Sequence, residues 1–267
     1  MRTAYATFIR NWTVTLRAYP WGFFAGTLLS GGLVVGIGYL GFTVLARGEL
    51  SPDFARFANT GDYLSFLILG AAAYRFVVRM MLSVSRSLIT ERREGTLESL
   101  LLAPSRRLAY FTGVGGQATV HAGVETIILL VLAAPFGLDL SRVDPLTLLV
   151  VLPVAALGVF GLSLVLGAVM LAHGDTYISQ NTLFSLLALV SGFLFPAAYL
   201  PDLLEWSGRL FPVTWALEAL RAASLQHASI GAVAPGLAVA GAMGLAYTLL
   251  GLRLFVPAQR RALEGAS

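Results

Sequence analysis

His121 and Glu125 stand one helical turn apart in a long apolar run, and an imidazole beside a carboxylate is the smallest general acid–base pair. No nucleophile motif and no third ligand accompany them, so an intramembrane hydrolase is a weak reading. The chain has no cysteine, which removes thiolate catalysis, disulfides and Cys-ligated metals. All 18 of its basic residues are arginine. Without lysine there is no P-loop cation for the β- and γ-phosphates and no Schiff-base amine. HExxH is absent, and the three histidines, His121, His173 and His227, are scattered. The expectation is a chain with no catalytic residue, no metal, no cofactor of its own and no nucleic-acid partner.

Arg75 and Arg79 lie in another apolar run. At about 1.5 Å rise per residue, Arg75 and Glu125 each fall roughly 18–20 Å below the outer ends of their helices, with Arg79 and His121 a turn deeper. A buried Arg75–Glu125 pair that locks two helices together is the expectation. The rival is an ion- or proton-driven secondary transporter working through Glu125, the one carboxylate at mid-membrane.

The elements that hold these groups follow from composition. Of 267 residues, 57% are hydrophobic and 12% charged, about half the charge of an average soluble domain. The charges cluster, and uncharged stretches of spanning length separate them. Six transmembrane helices are expected, near 21–46, 63–88, 108–138, 145–172, 176–195 and 230–252. With the N-terminus inside, eleven arginines face the cytoplasm (2, 10, 17, 86, 92, 93, 106, 107, 253, 260 and 261) and five, Arg221 among them, face out. Both termini are then cytoplasmic, and residues 1–267 form a single all-α integral membrane domain.

Three further stretches carry a pattern. In residues 1–19, Tyr5, Phe8, Ile9, Trp12 and Leu16 recur at helical spacing, which predicts an amphipathic helix in the inner interface. Residues 91–107 read ERREGTLESLLLAPSRR. Thr96 is suited to cap a short helix with Glu98 in its first turn, and Leu97, Leu100 and Leu101 form one apolar stripe that needs a partner to cover it. Residues 191–227 contain Pro196, Pro201 and Pro212 in aromatic surroundings. Broken backbone at membrane depth survives only under protein cover, which predicts a re-entrant hairpin between the fifth and sixth helices.

In this order the stretches resemble the permeases of the type-2 ABC exporter superfamily. Residues 91–104 are similar to that family's ERExGTLExLxxxP loop, departing from it at Arg93, where glutamate is usual. SGFLFPAAYLP at 191–201 and FPVTWALEALR at 211–221 resemble its SGxxFPxxxLPxxL…xPxTxxxExxR signature. The resemblance implies an elbow helix at the N-terminus, and a coupling helix that docks on a separate ABC ATPase subunit, where ATP and Mg would bind. Glu91, Arg92, Glu94, Gly95, Thr96, Leu97, Glu98, Leu100 and Leu101 are the implied coupling residues, the glutamates facing basic groups at the partner's rim. It also implies a second permease copy, identical or paralogous, and a bacterial or archaeal cytoplasmic (inner) membrane. The second and fifth helices would face the central path, with Phe66, Phe76, Asn181, Phe184 and Phe193 as candidate cavity residues for a hydrophobic or amphipathic cargo.

Overall fold

The computed structural model describes residues 2–18, 26, 29, 32, 33, 35–45, 47, 48, 52–96, 107–173 and 177–264, with backbone alone at 18, 45, 52, 53, 107 and 259–264. Among these residues the secondary structure is entirely helical. The helices are α1 (Arg2–Ala18), α2 (Val35–Val44), α3 (Pro52–Ala58), α4 (Tyr63–Ser85), α5 (Ser87–Arg93), α6 (Arg107–Ala133), α7 (Pro145–His173), α8 (Ile178–Val190), α9 (Asp202–Gly208), α10 (Pro212–Leu225) and α11 (Ile230–Glu264).

The stretches Tyr63–Ser85, Leu108–Phe136, Pro145–His173 and Ile230–Ala258 are long and apolar enough to cross a bilayer. The expected fifth span appears as the shorter apolar helix Ile178–Val190, and the apolar helix Val35–Val44 falls within the expected first span. Much of the expected first span lies outside the described residues. The fifth, expected to run to Phe195, stops at Val190 because Gly192 takes a left-handed φ of +74° and Pro196 follows. α11 continues to Glu264, beyond the expected Leu252.

Local chemistry sets several boundaries. The Asp62 carboxylate accepts from Ser65 N at 3.0 Å and starts α4. Asp144 accepts from Leu146 N at 3.2 Å just before Pro145, which needs no N–H bond in a first turn. Phe211, in extended backbone, precedes Pro212 at the start of α10 in the same way.

α7 is apolar all round and buries residues on every side, as expected of a central helix. It packs against α4, α10 and most extensively α11. Small residues bring α7 and α11 together: Gly161 lies against the Gly244 carbonyl and Gly251 against Leu164. α4 and α6 form a second close pair, and α2 rests on both through Val35, Ile68, Ala72, Leu129 and Ala133. α1 lies on α6, with Ala4, Thr7 and Phe8 against Gly113 and Gly116. Its Tyr5, Ile9 and Leu16 stay exposed, an apolar face without protein cover.

Candidate functional site

Three groupings of polar side chains stand out in this apolar bundle. The first joins α4 to α6 midway along both helices. Glu125 is buried, with Arg79 Nη2 at 3.2 Å from Oε1 and Arg75 Nη2 at 4.0 Å from Oε2. Arg79 Nη2 also lies 3.1 Å from His121 Nε2. A guanidinium can only donate, so in this arrangement Nε2 accepts and the imidazole carries its proton on Nδ1. The expected partner Arg75 is therefore brought to Glu125, but Arg79 stands nearer. Arg75 and Arg79 stand about one helical turn apart on the same face of α4, which puts both within reach of one carboxylate.

The second grouping holds the broken chain between α8 and α10. Arg221, placed by its sequence position in an outer loop, is instead buried on α10. Its Nη1 donates to Gly192 O at 2.7 Å, and its Nη2 to Phe193 O at 2.8 Å and Phe66 O at 3.3 Å. The guanidinium carbon lies 3.5 Å from the centre of the Phe66 ring. One side chain thus supplies donors to the Gly192 and Phe193 carbonyls, which the irregular backbone would otherwise leave unmet, and adds a third bond to Phe66 O of α4. Gly70 on α4 makes room for this, because a Cβ there would collide with the Phe193 carbonyl and the Arg221 Nη2. Thr214 donates to Gly208 O at 2.7 Å and Trp215 Nε1 to Arg209 O at 3.0 Å, tying α9 to α10.

The same packing sets where the expected cavity residues lie. Phe66, Phe184 and Phe193 are buried within the single chain. Phe66 lies under Arg221 and edge-on to Phe54, Phe193 meets Tyr74 edge-on, and the Phe184 carbonyl accepts from Tyr74 Oη at 3.3 Å. Phe76 is partly covered by the core, so Asn181 is the one member of the expected set that is exposed.

The third grouping sits where α5 leaves the bundle. Glu91, expected to face a partner, is buried. Its carboxylate receives Arg10 Nη1 of α1 at 2.7 Å, Tyr110 Oη of α6 at 3.3 Å and the Thr96 hydroxyl. Burial would raise the Glu91 carboxyl, but the bonds from Arg10, Thr96 and Tyr110 outweigh it and hold the group below its ordinary range. Glu94 is exposed and stands 3.6 Å from Arg10.

The turn after α5 explains the geometry. Gly95 has φ +72°, Gly95 N bonds to Arg92 O at 3.2 Å and Thr96 N to Glu91 O at 2.9 Å, the double closure of a helix C-terminus. Thr96, read from sequence as the start of a downstream helix, here ends α5 with both its N–H and its hydroxyl turned back to Glu91. Arg92, Arg93 and Glu94 are exposed. Leu97, Glu98, Leu100 and Leu101 lie outside the described residues.

Two of these arrangements left little trace in the sequence. Arg10 and Glu91 are 81 positions apart and Arg221 and Gly192 are 29 apart, so no periodicity relates them. The one available signal was an arginine inside the mostly apolar α10, where Glu218 is the only other charge.

A family model described as ABC-2 type transporter matches residues 3–225, a stretch that includes all three groupings. Comparison with curated proteins gives no match.

Proposed function

The chain belongs to the ABC-2 type transporter family and is a multi-pass membrane permease, and on that premise we propose that it is the membrane subunit of an ATP-driven exporter. It forms the path for a hydrophobic or amphipathic substrate and takes its energy from a separate ABC ATPase. The match over residues 3–225 carries this reading. In it, six spans cross a bacterial or archaeal cytoplasmic membrane with both termini inside, α1 is the elbow helix, and residues 191–227 form the re-entrant hairpin. A second permease copy, identical or paralogous, completes the path. The absence of lysine from the whole sequence supports placing ATP chemistry in the partner. Glu125 lies on an unbroken helix between two arginines, which speaks against a proton-carrying role.

The coupling element in this reading is the 91–107 segment. With Glu91 committed to α1, its exposed charges among the described residues are Arg92, Arg93 and Glu94, and the sequence offers Glu98 as a further charge and Leu97, Leu100 and Leu101 as apolar anchors. Buried apolar anchors carry affinity while rim charges set encounter and register. Leu100→Asp is therefore expected to abolish co-purification with the ATPase and substrate-stimulated ATP turnover in proteoliposomes, while the protein still inserts in the membrane. The purified permease alone should hydrolyse no ATP. Normal assembly and transport by Leu100→Asp would show that the segment is a solvated connection.

A further inference from the structure

We propose that the groove between α9 and α10 binds an organic ammonium, a primary or quaternary amine carried on an apolar body. This rests on the permease reading above and narrows its cargo class. Asp202, Glu205, Trp206 and Arg209 recur at helical spacing on one face of α9 and its C-terminal cap. With Leu210 and Trp215 they line a groove of about 440 Å³, within the range of small-molecule clefts, about 300–1,000 Å³. Its depth decides what it can face. Pro212 packs on Gly158 of α7, about 20 Å along that helix from Pro145, and the Leu210 carbonyl accepts from Tyr247 Oη of α11 at 3.0 Å. Charge at such depth faces water or protein rather than hydrocarbon, so in the permease reading the groove opens on the transport path.

Charge and ring chemistry then choose the ligand. The groove carries two carboxylates, Asp202 and Glu205, against one guanidinium. That guanidinium is already shared. Arg209 Nη2 lies 3.3 Å from Glu205 Oε1 and 3.8 Å from Glu218 Oε1, and its guanidinium carbon is 5.0 Å from the centre of the Trp215 ring. No basic side chain among the described residues pairs with Asp202. Trp206, one turn from Asp202 on the same face, is 72% exposed, so its indole is open to a ligand. An indole face attracts a cation, and tryptophan does so best of the aromatic residues. An anion would be repelled by Asp202 and Glu205. Among the described residues no three carboxylates or histidines converge to hold a metal. A carboxylate beside an open indole thus selects an organic cation, with Trp206 and Leu210 to cover its apolar body.

The test is isothermal titration calorimetry on the purified full-length chain in maltoside micelles, which carry no ammonium. Benzyltrimethylammonium should bind, benzyl alcohol should not compete, and choline, which lacks the ring, should bind about tenfold more weakly. Dihexanoyl phosphatidylcholine separates the two sources of such a cation. Weaker binding than benzyltrimethylammonium marks a free cargo, whereas equal or tighter binding marks a lipid headgroup and overturns the cargo assignment. Asp202→Asn and Trp206→Leu should each weaken benzyltrimethylammonium binding about fivefold, and Trp206→Phe should recover part of the loss. Both positions are exposed, so these variants should elute as the wild type does. Arg209→Gln removes the competing internal cation and should tighten binding about threefold, which uptake into the micelle would not do. Equal binding of benzyl alcohol, or unchanged affinity in both Asp202→Asn and Trp206→Leu, overturns the proposal. Binding is read with no ATPase present. A failed titration beside intact ATPase assembly therefore refutes the groove alone, and failed assembly beside a positive titration refutes only the coupling reading.

Discussion

Arg221 spends its guanidinium on three backbone carbonyls, Gly192, Phe193 and Phe66, in a site with almost no solvent. A buried acceptor left unmet costs about 1–3 kcal/mol. Arg221→Ala should thus lower the apparent Tm in detergent by about 5–10 °C. Arg221→Lys should recover only part of that, since an ammonium cannot spread its donors as the planar fork does. Fluorescence-detected size exclusion after heating checks this, and an unchanged Tm would mean that other donors serve the carbonyls. The same residue shows where sequence reading stopped. A rise per residue sufficed to set Glu125 level with Arg75, because both sit on long regular helices whose ends the charge clusters mark. Arg221 binds irregular backbone, for which no periodicity exists, and an arginine near the end of an apolar run reads as a loop residue.

Between elements, the contact with most consequence joins α1, α5 and α6 through the Glu91 carboxylate. Because hydrogen bonds hold Glu91 below its ordinary value of 4.5, its contribution is complete above that value and is lost as pH falls through the lower folded-state value. The docking of α1 on the α5 turn should therefore persist at pH 5 and above and loosen only in stronger acid, near pH 4 and below. In Arg10→Gln, burial prevails and the loosening should move to higher pH. Spin labels at Ala6 and Arg93, both exposed, would report this as a broadened distance distribution. A distribution independent of pH in both proteins would show that the carboxylate does not govern docking. Sequence alone made α1 an amphipathic helix and 91–107 a coupling segment, two separate devices. Their connection was illegible because it depends on how the chain returns between residues 10 and 91. The turn at Gly95 was equally illegible, because closing α5 depends on its left-handed φ of +72° and on Thr96 turning back to Glu91, which no periodicity marks.

At the scale of the whole molecule, α7 and α11 form one close-packed pair and α4 and α6 another, and only the second contains charge at depth. That asymmetry bears on how the polypeptide enters the bilayer during synthesis. Arginine near a helix centre costs about 3 kcal/mol on the insertion scale, so a nascent α4 with Arg75 and Arg79 partitions poorly from the translocon by itself. Glu125 has not yet been made when α4 emerges. The two helices should consequently integrate as a hairpin, α4 waiting in the translocon or its vestibule until α6 follows. Chains truncated at residue 105 or at residue 140 and tagged near Asn59 provide the measurement. In the longer product the tag should be reached only from outside and the 91–96 loop only from the cytoplasm, whereas in the shorter product external labelling should largely fail. Equal external labelling of both would show that α4 inserts unaided. The carboxylate that steadies the finished protein is, on this account, also the signal that releases α4 into lipid.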